Sequence, residues 1–505
     1  TLHTLEASTF IGGTGFDTAT AMALEIGMEH EEGNHIVVAG LTTSDGVNDG
    51  CSTPPALKFP TMAGAFDEEH NGSTDVFVLR LNDDLSSLEA STLVGGSHME
   101  HAFEPNTDRG PDLAMDTAGN IYVAGTTYSF DFPHIPSGKE LPGGYVPFQA
   151  AKNGDDDAFV VKLSNNLEQL LGWTYLGGGN EDRGTAVAAG FFDDEWHIFV
   201  SGHTESAEDW QPSPYEQFPI TAGAFDETHN SRGGAVLEDG FVSRFNSDLT
   251  ILEASTFIGG DREDHLWDMA VDQADASVLV VGGTGSTNFP TTPSSFMPTW
   301  SIHHAPKNGF VSRLNSSLTD LTTGTYLGGI PTAEHPDSYA ETFLYGVAVD
   351  AVGTTWVTGR TIDAYQPTFP VLGLIQYRAW YDPDHYGGRD VVLTGFNHHL
   401  SRLHLSLHVA GQYDQEAWAL FPRFLQQSAP DNDYVEITVS GWSDDGTSGD
   451  RFYPVFYNEV GFVDSYDRLA DNDDVLVTTF RVEYRPLFAV GFESGDDTEW
   501  SSSAP

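Results

Sequence analysis

Short runs of alternating apolar and polar residues recur along the chain in one fixed order, four to a unit, and each has the length and period of a β-strand. The segments are called A to D in chain order. The D segment is the most repetitive: LEASTFIGG is written letter for letter at Leu5–Gly13 and Leu252–Gly260, with looser copies at Leu88–Gly96, Leu170–Gly178 and Leu321–Gly329. A segments lie at Thr20–Ile26, Asp112–Met115, Thr185–Ala189, Trp267–Val271 and Tyr345–Val349. B segments follow at His35–Gly40, Ile121–Thr127, His197–Thr204, Val278–Thr284 and Thr355–Thr361, each with a glycine that marks a bend or a close backbone approach. A Phe-Pro pair punctuates the excursion after each B segment, at Phe59, Phe132, Phe218, Phe289 and Phe369, and proline there predicts loop or sheet edge. The C segments are Asp75–Leu81, Asp157–Leu163, Asp239–Phe245, Asn308–Leu314 and Asp390–Phe396.

Successive D-segment glycine pairs are 83, 82, 82 and 69 residues apart, and a degenerate D segment follows at Leu403–Gly411. A fixed period of this kind means that each copy is one supersecondary unit packing on the next. A sixth unit follows: Glu416–Leu425 fits A, Tyr434–Trp442 fits B, Tyr453-Pro454 replaces Phe-Pro and Asp474–Phe480 fits C. It has no D segment, whereas Leu5–Ile11 is a D segment with no unit before it. Closing a toroidal array with strands from both termini removes its open edges. The expected fold is therefore all-β, a six-bladed β-propeller of four-stranded blades over residues 1–485, its last blade closed by the N-terminal strand, followed by a C-terminal tail at 486–505.

These units resemble the bacterial and archaeal SBBP-type β-propeller repeat. The resemblance rests on TYLGG at Thr174–Gly178, MDTAGNIYVAGTT at Met115–Thr127, FPITAGAF at Phe218–Phe225 and DAFVVKL at Asp157–Leu163, and covers residues 1–400 well and 401–485 weakly. It implies a seven-bladed ring, against the six units counted. It also implies export or surface exposure, and no common set of catalytic residues.

Composition narrows the function classes. The formal charge is −54, from 75 acidic and 21 basic residues, a field that repels nucleic acid and anionic membranes and favours cations. The one cysteine, Cys51, excludes an internal disulfide framework, cysteine-based zinc sites and c-type haem attachment. No run reaches the roughly 18 apolar residues of a membrane helix. The start carries no basic and apolar leader, so an export signal is expected to be already removed or never present.

Candidate chemistry is sparse. Carboxylates recur after the Gly-Gly pairs, at Asp17, Glu181, Asp182, Glu263 and Asp264, and more loosely at Asp108 and Asp337; hard oxygens at equivalent points of a ring suit calcium. Asp471 and Asp473 form a further acidic run. These seven firmer positions are the metal-ligand candidates, and the alternative for each is a solvated turn residue. The acid opening each C segment reads instead as a backbone-bonding turn residue. Histidines cluster at His303-His304 and at His398, His399, His404 and His408, where an ordinary half-buried strand competes with a metal or pH-sensitive patch. No nucleophile elbow, zinc-protease helix, phosphate loop or dinucleotide fingerprint occurs, so no catalytic residue, haem or nucleotide is expected.

The function expected is a non-enzymatic extracellular or cell-surface structural or adhesive protein that self-assembles into a filament, layer or matrix as a homo-oligomer or homopolymer, joined by its terminal strand or tail. One alternative is a glycan- or protein-binding module using Trp210, Trp300, Trp380 and Tyr381. The other is a calcium-assisted hydrolase with its site at the propeller axis.

Overall fold

The computed structural model describes residues 7–25, 34–47, 56–101, 110–207, 217–230, 237–300, 307–329, 340–363, 370, 389–409, 415–425, 434–444 and 473–483. Every segment predicted inside these limits except the N-terminal one is a strand. Blade 1 comprises β1 (Asp17–Glu25), β2 (His35–Thr42), β3 (Asp75–Asn82) and β4 (Leu88–Val94). Blade 2 comprises β5 (Asp112–Met115), β6 (Ile121–Thr127), β7 (Asp157–Leu163) and β8 (Leu170–Leu176). Blade 3 has β9 (Asp182–Phe192), β10 (Glu195–Thr204), β11 (Asp239–Asn246) and β12 (Leu252–Ile258). Blade 4 has β13 (Asp264–Asp272), β14 (Ser277–Thr284), β15 (Asn308–Leu314) and β16 (Leu321–Leu327). Blade 5 has β17 (Ala340–Val349), β18 (Thr355–Asp363), β19 (Arg389–Phe396) and β20 (Leu403–Val409). In each blade the four strands pair antiparallel in chain order.

The sixth sheet has three strands, β21 (Gln415–Leu425), β22 (Tyr434–Asp444) and β23 (Asp473–Glu483). The propeller thus has five four-stranded blades among the described residues, where six were expected, or seven from the family label. The missing strand is the N-terminal one. Residues 7–13 form no strand, and Phe10 is 94% exposed. The same letters at Leu252–Ile258 are a strand because β11 pairs them from Phe245↔Leu252 to Gly240↔Ile258. The propensity of STFI is spent only where a partner edge is supplied.

Each A strand packs on the next, β1 on β5, β5 on β9, β9 on β13, β13 on β17 and β17 on β21. The core lies between blades, in four clusters that join blades 1 and 2, 2 and 3, 3 and 4, and 4 and 5. The B-strand glycine is fixed by the A strand beside it, which bulges there: a Cβ on Gly40, Gly202, Gly282 or Gly359 would strike the carbonyl of Thr18, Arg183, His265 or Phe343.

The Phe-Pro pairs do more than mark loops. Phe59, Phe132, Phe218 and Phe289 are buried and sit against the C-strand rings of Phe77, Phe159, Phe241 and Phe310 at 4.5, 4.3, 4.4 and 4.2 Å. The long excursion returns to plug its own blade, and proline leaves the phenylalanine on a segment that need not join the ladder. Among the described residues no helix is long and apolar enough to cross a membrane.

Candidate functional site at the blade junctions

The ends of B and D and the starts of C and A meet at one rim of each blade, and the polar chemistry gathers there. Behind three D-type segments the second glycine donates its N–H to an acid four residues on: Gly13 to Asp17 Oδ2 (2.8 Å), Gly178 to Asp182 Oδ2 (2.6 Å) and Gly260 to Asp264 Oδ2 (2.6 Å). The same oxygen accepts from Ser44, Ser206 and Ser286, each at 2.9 Å. Thr42 and Thr204 donate to the other oxygen of Asp17 and Asp182. These carboxylates are latches that fasten the end of one D strand to the A and B strands of the next blade. Glycine is required at the second position because a Cβ on Gly13, Gly96 or Gly260 would meet the Cβ of Ser44, Ser129 or Ser286.

Two copies vary the latch. In blade 2 the bridge Glu100↔Thr127 puts Glu100 in the register of Asp182↔Thr204, and Glu100 Oε1 accepts from Ser129 (2.6 Å) and Thr127 (3.1 Å). In blade 5 Thr342 faces Thr361 at 3.0 Å with no acid. Beside each latch stands the acid that opens the C strand. Asp75, Asp157 and Asp239 are wholly buried, accept from the backbone N–H of Asn71 (2.8 Å), Asn153 (2.9 Å) and Asn230 (2.5 Å), and press on the first glycine, Gly95, Gly177 or Gly259. Blade 4 has Asn308 there, next to Thr342, so both members of the pair are neutral in the same copy.

Burial, which disfavours the ionised form, dominates these carboxyls. It pushes Asp75 up to about 6, Asp157 and Asp239 to about 8, Glu100 to about 8, and Asp182 and Asp264 to about 7.

A second set of positions differs from junction to junction: the residue before the end of B, the one before the start of C, and the one after the latch acid. Between blades 1 and 2 these are Leu41, Thr74 and His101; between 2 and 3, Thr126, Asp156 and Arg183; between 4 and 5, Gly283, Lys307 and Phe343. Asp156 and Arg183 form an ion pair at 3.4 Å. Between blades 3 and 4 the slot holds His203, Glu238 and His265. His265 Nε2 meets a Glu238 oxygen in a short hydrogen bond, His203 Nε2 lies 3.8 Å from the other, and the imidazoles stack at 4.7 Å. Trp267 closes the set edge-on to His265, 5.5 Å away. Burial pulls the Glu238 carboxyl upward, but His203, His265 and Arg183 outweigh it and hold the group well below the usual carboxylate range. Burial pushes His203 down to about 3, so its ring is neutral. The sequence flagged none of these three; the signal was their departure from the repeat at aligned positions.

Among the described residues the one group of three His, Cys, Asp or Glu side chains whose ligand atoms all lie within 4.8 Å of one another is Asp272, Asp275 and His398. Arg313, 1% exposed, already supplies its positive charge through Nη1 to Asp272 Oδ2 at 2.8 Å.

The sequence-predicted metal positions are therefore distributed rather than gathered. Asp17, Asp182 and Asp264 serve one latch each. Glu181 pairs with Arg183 (2.7 Å) and Glu263 with Lys307 (3.0 Å). Asp473 opens β23 opposite Asp444. Asp471, Asp108, Asp337, His303, His304, Trp210, Trp380, Tyr381 and the tail lie outside the described residues. His404 is exposed on β20, and Trp300 is buried against Tyr326 at 5.8 Å.

No curated protein matches the chain. Among solved structures it is similar to a subtype N11 neuraminidase-like protein of A/flat-faced bat/Peru, at 9% identity over 73% of this chain and 86% of that one, with a TM-score of 0.22. A family profile described as SBBP, beta-propeller repeat, matches residues 91–133, from the end of β4 through the Glu100 latch and the β5–β6 hairpin to Phe132-Pro133. That stretch carries the latch glycines, the hairpin and the plugging phenylalanine of one unit, and it is an SBBP β-propeller repeat in an all-β propeller.

Proposed function

We propose that the protein is a non-enzymatic, extracellular or cell-surface structural or adhesive propeller whose copies join by strand donation. The observation that carries this reading is a matched deficiency: the β21–β23 sheet has three strands, and residues 7–13, a D-type sequence, pair with none of the described strands. Gly13 and Asp17 are nevertheless latched as they are behind a paired D strand. Blade 1 also shows solvent an apolar strip, with Met22 72% and Leu24 53% exposed. In a propeller that face is where another blade packs, and an exposed apolar face beside an unpaired D-type segment supports an intermolecular joint. A head-to-tail joint of this kind is heterologous and propagates. The strongly acidic exterior supports a setting rich in cations. The sugar-stacking alternative has less support, because Trp300 is packed as core.

Mass photometry and electron microscopy of the full chain, and of a chain lacking residues 1–11, test the reading. Oligomers or filaments that disappear on deletion, and that an excess of a free peptide of residues 1–13 breaks into monomers by capping the acceptor edge, are expected. Monomers at every concentration for the full chain would overturn it.

A further inference from the structure

We propose that residues 7–11 of one copy pair antiparallel with the free edge of β23 in a second copy, in the register Ala7↔Thr479, Ser8↔Thr478, Thr9↔Val477, Phe10↔Leu476 and Ile11↔Val475. That the acceptor belongs to a second copy rests on the strand-donation reading above. The edge and the register rest on the pairing seen inside the complete blades.

The backbone sets the register. In each complete blade the B-strand glycine faces the third residue of the C strand, as Gly40 faces Phe77 and Gly202 faces Phe241. Gly441 faces Leu476 in the same way, which puts Asp474–Phe480 in step with the other C strands. That third C residue in turn faces the sixth D residue: Phe77↔Leu93, Phe159↔Tyr175, Phe241↔Phe257 and Phe310↔Tyr326. Phe10 is the sixth residue of LEASTFI, so it falls opposite Leu476. A slip of one residue would turn every side chain of the segment to the wrong face.

Three exposed side chains of the segment match duties that their copies perform. The counterparts of Phe10, which are Leu93, Tyr175, Phe257 and Tyr326, are 4% exposed or less, against 94% for Phe10. Three of them pack on the plugging phenylalanine of their blade, as Phe257 does on Phe218 at 6.0 Å. The counterparts of Thr9 accept a backbone N–H from the long loop of their blade, as Thr92 Oγ1 does from Asp67 (2.9 Å) and Thr325 Oγ1 from Met297 (2.8 Å). Ser8 falls opposite Thr478, and two complete blades carry a hydroxyl pair at that step: Ser243 with Ser255 at 2.8 Å and Thr394 with Ser406 at 3.0 Å. Ser8, Thr9 and Phe10 are all exposed, while Ile11 packs on the blade 1 cluster around Phe77 and Leu79 and Gly13 is latched to Asp17. The segment is thus held at its C-terminal end and open to a partner from Ser8 to Phe10.

One edge fits it. β23 is the one C strand among the described sheets with no D strand beside it. The outer edges of the other five sheets are D strands already, and LEASTFI is seen to pair with a C strand. An unpaired edge of this kind takes an added strand through main-chain hydrogen bonds, and the side chains at alternate positions select which strand it takes.

Disulfide trapping in the full chain carrying Cys51→Ser tests edge and register together. Ser8→Cys with Thr478→Cys is expected to cross-link under mild oxidation into ladders on a non-reducing gel, because directly facing residues bring their Cβ atoms within disulfide reach. Ser8→Cys with Val477→Cys, one step out and on the opposite face of the strand, should cross-link at least about tenfold less. Phe10→Ala removes a ring that the single chain leaves in solvent, so it spares the fold, and it should raise the concentration needed for assembly by more than about tenfold. Equal trapping of the two cysteine pairs, assembly without trapping at Ser8 and Thr478, or assembly indifferent to Phe10→Ala would overturn the register and leave strand donation in place. Cross-linked monomers that never form ladders would uphold β23 and the register and overturn the second copy as acceptor. Monomers with no cross-link would overturn both.

Discussion

Glu100→Gln should remove a pH dependence that the natural chain carries. The Glu100 side chain is wholly buried; Oε1 takes the Ser129 and Thr127 hydroxyls, and Oε2 has no partner. Facing it from β3 is Asp75, whose Oδ1 is likewise buried and unpartnered, and Asp75 in turn faces His70, Asp67 and His134. Burial first, then the Asp75 charge, lifts the Glu100 carboxyl from 4.5 to about 8. An acid with a raised folded pKa binds its proton more tightly when folded. Its contribution is therefore fully present below about pH 4.5 and drains away as pH climbs towards 8, by about 1.4 kcal/mol per unit. Between pH 4.5 and 7 that is on the order of 3 kcal/mol. Glutamine keeps the acceptor for Ser129 and Thr127 and offers Nε2 where the acid offers O–H, so it mimics the protonated form at every pH. Urea unfolding at pH 5, 6, 7 and 8 should show the natural chain losing stability relative to Glu100→Gln by about 1.4 kcal/mol per pH unit, with the two alike near pH 5. Parallel pH profiles would refute the idea that the latch acid is held protonated by its burial.

Three further outcomes follow from the same geometry. Gly260→Ala places a Cβ 2.7 Å from Ser286 Oγ and 2.8 Å from Asn288 Oδ1 and should cost about 3 kcal/mol in urea unfolding; a change within the noise would mean that the rim can relax. Arg313→Met strands the buried Asp272 carboxylate and should cost about 3–5 kcal/mol, whereas His398→Asn, at a 39% exposed side chain, should cost less than about 1 kcal/mol. Calcium chelation should leave the melting temperature unchanged, since Asp17, Asp182 and Asp264 already accept from glycine N–H and serine hydroxyl groups; a drop restored by added calcium would revive the ion-holding reading of those acids.

What the sequence made legible and what it hid divide along a physical line. Strands were legible because burial on both faces forces near-continuous apolar runs such as FVVKL and IYVAG, and the repeat aligned them. The glycines were legible as letters but not as causes. GG recurs because one glycine bears the C-strand acid and the other bears the serine after the next B strand, a contact 26 to 33 residues away in sequence for Gly260–Ser286, Gly13–Ser44 and Gly96–Ser129. Glu100 stands four residues after Gly96, as Asp17, Asp182 and Asp264 stand after their glycines, so it was legible in that spacing where the looser Asp108 was not, and pairing with Thr127 selects it. The N-terminal LEASTFIGG shows the limit most plainly. Its letters match β12 in full, yet a strand is a relation between two edges, and sequence supplies only one of them. The blade-3 copy finds its second edge in β11; the N-terminal copy leaves Phe10 in solvent and its glycine latched to Asp17. The latch between Gly13 and Asp17 fixes the direction in which the segment leaves blade 1, so the joint proposed for it would be constrained in geometry before it is made.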